Sequence, residues 1–189
     1  MQAVSDEQLI EWVARGDASC LGTLFERHHR ALYQYCLQLT RHRATSEDLV
    51  QDTFMKILKK AGSFRGDGSF KAWLFHIARN EAFNHLRKAK RRKTSTATED
   101  DMRDQLIDSR SAEQAAAGHQ DMDIVRRALD SLPEAAREVI WLGRFEFDGY
   151  EDLGAALGCT AATARVRMHR AMKQLDKILI GISGDIRHA

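Results

Sequence analysis

Residues 150–177 read YEDLGAALGCTAATARVRMHRAMKQLDK, and the order of these residues decides the fold. A short helical stretch, Tyr150 to Leu157, runs into Gly158-Cys159-Thr160, and a longer basic stretch follows. Gly158 can supply the left-handed turn that ends the first helix, and the Thr160 hydroxyl can cap the second. Two helices joined by so short a glycine-containing turn form a helix-turn-helix. At about 100° per residue, Ala164, Met168, Ala171, Met172, Leu175 and Leu179 gather on one arc of the second helix. Thr163, Arg165, His169, Arg170, Lys173 and Lys177 spread over the remainder, with Arg167 near its border and Val166 inside the basic arc. A core-packed face therefore stands opposite a basic one. Arginine donates bidentately to guanine in a major groove, Arg and Lys hold phosphates, and an aliphatic side chain can touch a thymine methyl. The competing description is a solvated basic helix, which leaves the turn and the caps unexplained.

Upstream, the chain repeats the helical period. One helix is expected over about 6–14 with Leu9, Ile10 and Val13 inward. A longer one covers about 18–39 with Leu21, Leu24, Phe25, Leu32, Tyr33 and Cys36. A third follows Thr45, whose hydroxyl pairs with Asp48 in a capping-box variant, and carries Leu49, Val50, Phe54 and Leu58. Two glycines in Phe64-Arg65-Gly66-Asp67-Gly68-Ser69 mark a loop. A fourth helix starts near Phe70 and runs into the basic block 87–93, RKAKRRK. Residues 94–120 turn polar and acidic (Glu99, Asp100, Asp101, Asp104, Asp108, Glu113), which reads as a linker with at most one marginal helix. Periodicity returns from Met122 through Val125, Leu129 and Leu132. Ser131-Leu132-Pro133-Glu134 then reads as a capping box that opens a helix bearing Val139, Ile140 and Leu142. The expected architecture is all-α: two small helical domains, 1–93 and 121–183, joined by a flexible linker at 94–120 and followed by a tail at 184–189.

Composition narrows the classes. Of 189 residues 43% are hydrophobic and 30% charged, and one is proline, a balance that favours helices over strands. No run approaches the roughly 20 apolar residues of a membrane span. The N-terminus has neither the basic nor the apolar region of a signal peptide, so a cytoplasmic protein is expected. The net charge is +2, yet basic and acidic residues are sharply segregated. Cys20, Cys36 and Cys159 have the wide spacing of thiols in a reducing compartment. Recruiting Cys20, His28, His29 and Cys36 to zinc fails, because they share no helical face and match no metal motif. No cofactor or metal is expected.

The helix from Phe70 carries a second chemical signal. Ala72, Phe75, Ala78, Ala82, Phe83 and Leu86 make its core arc. Trp73, Ile77, Asn80, Asn84, Arg87 and Arg91 make another stripe. An aromatic face stacks on an unpaired base for about 1–3 kcal/mol, and amides can read the base's exposed edge. The basic block would hold the backbone. Equally, Trp73 could complete the core and the asparagines could be merely solvated. On these residues alone the two readings stand level.

The segments Ser46–Phe54, Phe64-Arg65-Gly66 and Phe70–Asn80 closely resemble region 2 of the extracytoplasmic-function sigma factors of bacterial RNA polymerase. Leu132-Pro133, Arg137-Glu138-Val139 and the stretch 163–171 resemble their region 4. The resemblance spans nearly the whole chain outside the linker, in the right order. It implies that Asp48, Leu49, Gln51, Asp52 and Phe54 dock on the clamp helices of the polymerase β′ subunit, and that the second domain meets the β flap. It implies further that Phe64, Arg65, Ser69, Lys71, Trp73, Asn80, Asn84 and Arg87 melt and read the −10 element, with a base taken out of the stack. Thr160, Thr163, Arg165, Val166, Arg167, His169, Arg170 and Lys173 would read the −35 element. Residues 94–120 match the linker that threads toward the RNA exit path, where acidic groups mimic nucleic acid. An anti-sigma factor, often membrane-tethered, is the implied regulator. This sequence departs from the pattern at Gly149, where a capping serine is usual, and at Gly154, where alanine is common, the latter costing at most about 1 kcal/mol of helix stability. Ala164 and Val166 replace the usual valine and serine, which puts base preference in doubt.

Two other classes compete with this one. A self-sufficient duplex-binding regulator would use the helix-turn-helix alone and leave the Trp73 stripe idle. An enzyme would need a metal on Glu47, Asp48 and Asp52, where a carboxylate run on a solvated helix is ordinarily a charged face. No phosphate-cradling glycine loop is present.

Overall fold

The computed structural model describes residues 4–66, 68–95 and 119–186. Its elements are α1 (Asp6–Ala14), α2 (Ser19–Thr40), α3 (Arg43–Lys60), a 3-10 turn (Ala61–Ser63), α4 (Phe70–Ser95), α5 (His119–Asp130), α6 (Glu134–Trp141), a π turn (Leu142–Glu146), α7 (Tyr150–Leu157) and α8 (Ala161–Ile186). The all-α expectation is met. The acidic stretch, and with it any marginal helix there, lies outside the described residues. So does Asp67. Helix α8 continues through Ile186, so the expected tail at 184–189 begins in helix.

In the first half, α2, α3 and α4 pack around Leu24, Leu32, Ile57, Phe70, Leu74, Phe75 and Ala78, all inaccessible to water. Helix α1 straps this core. Ser5 and Gln8 form a reciprocal capping box, at 3.1 and 3.2 Å. Asp6 reaches Arg27 at 2.6 Å and His28 at 2.5 Å on α2. Glu7 accepts the Phe70 amide at 3.0 Å, and Ser69 accepts that of Ala72 at 3.1 Å, so two of the open N–H groups at the start of α4 find partners. Arg41 closes α2 in the left-handed conformation, φ 57°.

Two expected caps form differently. Helix α3 begins at Arg43, and its cap is the His42 ring, whose Nδ1 accepts from the Thr45 amide at 3.1 Å. A capping box of Thr45 with Asp48 is therefore absent: Thr45 already lies inside the helix. Ser131 turns its hydroxyl back onto the Arg127 carbonyl at 2.8 Å, and Pro133 itself occupies the cap position of α6 without a side-chain hydrogen bond. Two apolar assignments also shift. Ile57 is fully buried while Leu58 is 37% exposed, and Ala128 is buried while Val125 is 40% exposed. In each pair, a difference of one to three positions rotates the residue out of the packed arc.

The second half surrounds Leu132, Val139, Leu142, Leu153, Ala156, Leu157 and Ala164. Gly158 ends α7 at φ 66°, and Thr160 accepts the Thr163 amide at 3.2 Å, as the sequence predicts. Gly149 starts α7 with no side-chain cap. Gly154 has a reason beyond helix propensity: a Cβ there would sit 2.7 Å from the Cys159 carbonyl and 3.0 Å from the Ala161 amide. The turn of the motif folds onto bare backbone.

The two halves are not separate bodies. Helix α7 lies along α4, and Phe147 meets Phe75 with ring centroids 5.6 Å apart. No helix among the described residues is long and apolar enough to cross a membrane.

Glycine chemistry gives a test of opposite signs. Gly158→Ala forces a side chain into the left-handed region and against the His76 ring, 3.0 Å away; about 1–2 kcal/mol of stability should be lost. Gly22→Ala, in the exposed interior of α2 with open space around its Cβ, should gain about 0.5–1 kcal/mol. Urea denaturation of both variants reads the two shifts.

Candidate nucleic-acid interface

Helix α8 divides as its periodicity requires. Ala164, Met168, Ala171 and Leu175 are buried, and Met172 and Leu179 pack against that core. Thr163, Arg165, Val166, Arg167, His169, Arg170 and Lys173 are exposed on the other side. Burial of the apolar arc fixes the rotation of the helix, so the cationic arc must face outward. The Thr160 and Thr163 hydroxyls lie 2.9 Å apart and brace the first turn. Arg165 sits over the Tyr150 ring at 5.0 Å, which aims its guanidinium from the start of the helix. Sequence reading missed Tyr150, whose only signal is its position as the first residue of α7.

On α4 the expected stripe splits. Asn80, Asn84 and Arg87 are exposed, with Asn80 3.1 Å from the His76 ring and Arg87 donating to Asn84 at 3.4 Å. Ile77 is buried at 7% exposure, and Trp73 is half-buried. The Trp73 ring packs beside Phe64 at 5.4 Å and Phe70 at 6.1 Å. Packing is thus one role of Trp73. Phe64 is also half-buried, which ties the loop to the helix start and leaves Arg65 exposed beside it. Ser69 serves as a cap. Lys71 is already engaged: its ammonium lies 2.7 Å from the Glu146 carboxylate and 5.4 Å from the centre of the Phe147 ring.

Helix α3 presents the third face. Glu47, Asp48, Gln51 and Asp52 are exposed, but Leu49 and Phe54 are 4% and 5% exposed. Those two cannot be direct docking contacts in this structure; they hold the acidic side in place from below. Met55, at 53% exposure, and Leu58 lie outward on the same helix and add an apolar margin. Sequence reading missed Met55, because a single exposed methionine breaks no pattern. Of the cysteines and histidines on α2, Cys36 is buried in the core, His28 is bound to Asp6, and His29 stacks on Phe25 at 4.8 Å.

Comparison with known proteins is specific. Residues 24–92 match the family model for Sigma-70 region 2, and residues 122–175 match that for Sigma-70, region 4. The RNA polymerase sigma-H factor of Pseudomonas aeruginosa is 32% identical over 180 residues, covering 92% of this chain and 93% of that protein. The ECF RNA polymerase sigma-E factor of Escherichia coli K12 is 29% identical over 184 residues, covering 93% and 94%. Among solved structures, CnrH in complex with the cytosolic domain of CnrY is similar at a TM-score of 0.67 and 25% identity, covering 94% of this chain and 99% of that one. The sigma factor RpoE in complex with the anti-sigma factor NepR from Bartonella quintana is similar at 0.64 and 33% identity, covering 84% and 95%.

Behind the α4 and α8 faces lies a buried acid. Glu138 is 2% exposed; it accepts the Tyr35 hydroxyl at 2.6 Å and faces the Arg79 guanidinium at 3.0 Å. Burial raises its carboxyl above the ordinary 4.5, against the opposing pull of the Tyr35 hydrogen bond and of the Arg79 and Arg167 charges. A carboxyl raised in the folded chain binds its proton more tightly than in the unfolded one. Its contribution is therefore complete below the unfolded value and lost as pH climbs through the folded value. Stability should fall across that weakly acid window. Glu138→Gln, neutral at every pH, should flatten this component when urea midpoints are compared from pH 4 upward.

Proposed function

Because the chain belongs to the extracytoplasmic-function group of the sigma-70 family, whose members are transcription initiation factors rather than catalysts, we propose that it lends two DNA-reading faces to RNA polymerase and performs no chemistry itself. It is an alternative sigma factor, and the division of labour follows from its surfaces. The observation that carries the reading is the orientation of α8: a buried apolar arc forces Arg165, Val166, Arg167, His169, Arg170 and Lys173 outward as one face.

That face, with Thr160 and Thr163, fits the major groove of the paired −35 element, where arginines read guanine edges and hold phosphates. Asn80, Asn84 and Arg87 on α4, with Phe64, Arg65, Ser69, Lys71 and Trp73 at its start, fit the melted −10 strand. Strand opening draws on binding energy, with an extruded base held near the Phe64–Ser69 loop. Asp48, Gln51 and Asp52, bordered by Met55, form the docking face for the β′ clamp helices. Leu49 and Phe54 support it from the core, and the second domain meets the β flap. On this reading residues 1–93 and 121–183 are the working domains, 94–120 the tether between them, and the protein acts in the cytoplasm beside its polymerase.

An anti-sigma factor is the proposed regulator. RpoE is solved in complex with an anti-sigma factor, and CnrH with the cytosolic domain of CnrY. A membrane-anchored partner of this kind would hold the chain inactive until released.

Run-off transcription with core polymerase and a genomic promoter library tests the assignments. Asp52→Arg should reduce transcripts at least about tenfold by placing a cation where a carboxylate docks. Arg165→Ala should shift upstream-element preference by about 1–3 kcal/mol per lost base contact, about 5–150-fold. Asn84→Ala should shift preference at the melted element only. Equal weakening of every promoter by Arg165→Ala and Asn84→Ala would defeat the division between the two faces, and tight duplex binding that ignores polymerase would favour a self-sufficient regulator.

A further inference from the structure

A groove of about 390 Å³ lies between α6 and α8, closed on one side by Arg79 of α4. Arg79, Arg167 and Arg170 line it together with Gln174 and the buried Glu138. Three guanidiniums against one carboxylate leave an excess of two positive charges around a single space. Glu138 is already shared by the Tyr35 hydroxyl, at 2.6 Å, and by Arg79, at 3.0 Å. Arg167 and Arg170 are exposed and, among the described residues, enter no hydrogen bond or ion pair. The buried Nε–H of Arg79 makes no hydrogen bond among them either. Like charges three positions apart on a helix repel, so an anion seated among these groups relieves a standing cost. The remaining wall is apolar and includes Ala135, Val139 and Leu157.

We propose that this groove binds a free nucleoside monophosphate, its phosphate held by Arg79, Arg167 and Arg170 and its sugar and base laid on the apolar wall. A phosphomonoester carries about −1.5 to −2 charges at neutral pH, which matches the excess in the groove. Guanidinium forks pair with phosphate oxygens two at a time. The volume falls within the roughly 300–1,000 Å³ of pockets that take small ligands. Inorganic phosphate satisfies the charge but leaves the wall of Ala135, Val139 and Leu157 uncovered, and a longer phosphate chain carries more charge than the groove balances. The Gln174 amide has a donor and an acceptor for a base or sugar edge. Arginines that served only a DNA duplex would need neither Arg79, which comes from the other domain, nor an apolar wall. Arg167 and Arg170 belong to the face assigned above to the upstream element. Resting on that reading, nucleotide and duplex compete for the same two guanidiniums.

Isothermal titration of the full chain with AMP, inorganic phosphate and adenosine tests the site. AMP should bind at a single site with a Kd below about 1 mM. Inorganic phosphate should bind at least about tenfold more weakly, and adenosine, which has no charge to place, should not bind. Arg170→Gln removes one charge-assisted contact and should weaken AMP at least about tenfold. Ala135→Leu fills the groove without changing its charge; it should abolish AMP binding and leave that of inorganic phosphate within about twofold of the wild type. Lys177→Gln removes an exposed α8 cation that does not line the groove and should change AMP binding less than about twofold. Circular dichroism checks that each variant is folded. AMP that binds no better than inorganic phosphate or adenosine overturns the proposal. So does a folded Ala135→Leu chain that still binds AMP as the wild type does, or equal weakening by Lys177→Gln and Arg170→Gln. At low salt, saturating AMP should release a fluorescein-labelled promoter duplex from the wild type but not from Ala135→Leu. A duplex held equally with and without AMP overturns the competition. Run-off transcription by the same wild-type preparation is scored separately, and its absence defeats the sigma-factor reading, not the groove.

Discussion

Helix α4 has to satisfy three environments around one circumference, and the rest of the molecule is arranged to let it. Phe70, Leu74, Phe75 and Ala78 turn into the first domain and are excluded from water. Lys71, Phe75, His76 and Arg79 turn toward the second. Asn80, Asn84 and Arg87 are left outward. A helix offers about 100° per residue and no freedom to redistribute side chains once one arc is buried. Filling the first core therefore sets where the second domain can rest and which side-chain amides remain exposed.

The same logic runs through the other working surfaces. On α3, Leu49, Val50, Phe54 and Ile57 are drawn inward, and this leaves Asp48, Gln51 and Asp52 together on the solvent side. On α8, small buried residues, Ala164 and Ala171, allow close approach to α6 and α7 while longer cationic side chains fill the exposed arc. Each exposed polar face is thus the complement of a packing face. Specific contacts such as Arg165 over Tyr150 refine aim but do not create the face. Charge adds a second level of organisation: a chain of nearly balanced net charge sets cations on the exposed arcs of α4 and α8 and carboxylates on the exposed side of α3 or, within the seam, against Lys71 and Arg79.

Much of this was legible from residue spacing. The helix-turn-helix was readable because glycine at a left-handed turn and threonine at a cap are demanded by backbone geometry alone, and Gly158 and Thr160 take those roles. Local hydrogen-bond competition was harder to read. Thr45 lost the cap of α3 to the His42 ring, and Ser131 bonded back to Arg127, because more than one nearby polar group could serve each open amide. Position within a helix face was also ambiguous at the edges of an arc, where Leu58 and Val125 stayed partly in water while Ile57 and Ala128 went in.

The sequence by itself determined the helical class, the order of the helices, the turn of the C-terminal motif and the outward cationic arc of α8, because each depends on periodicity or on the torsional needs of one residue. Only the tertiary structure decided that Trp73 packs against Phe64 and Phe70, that Leu49 and Phe54 lie beneath the acidic face, that Gly154 is needed for close backbone approach, and that Glu138 is buried between domains with Tyr35 and Arg79. The physical reason is separation along the chain. Tyr35 and Glu138 are 103 residues apart, and no local pattern records a partner that arrives only when two independently patterned cores come together.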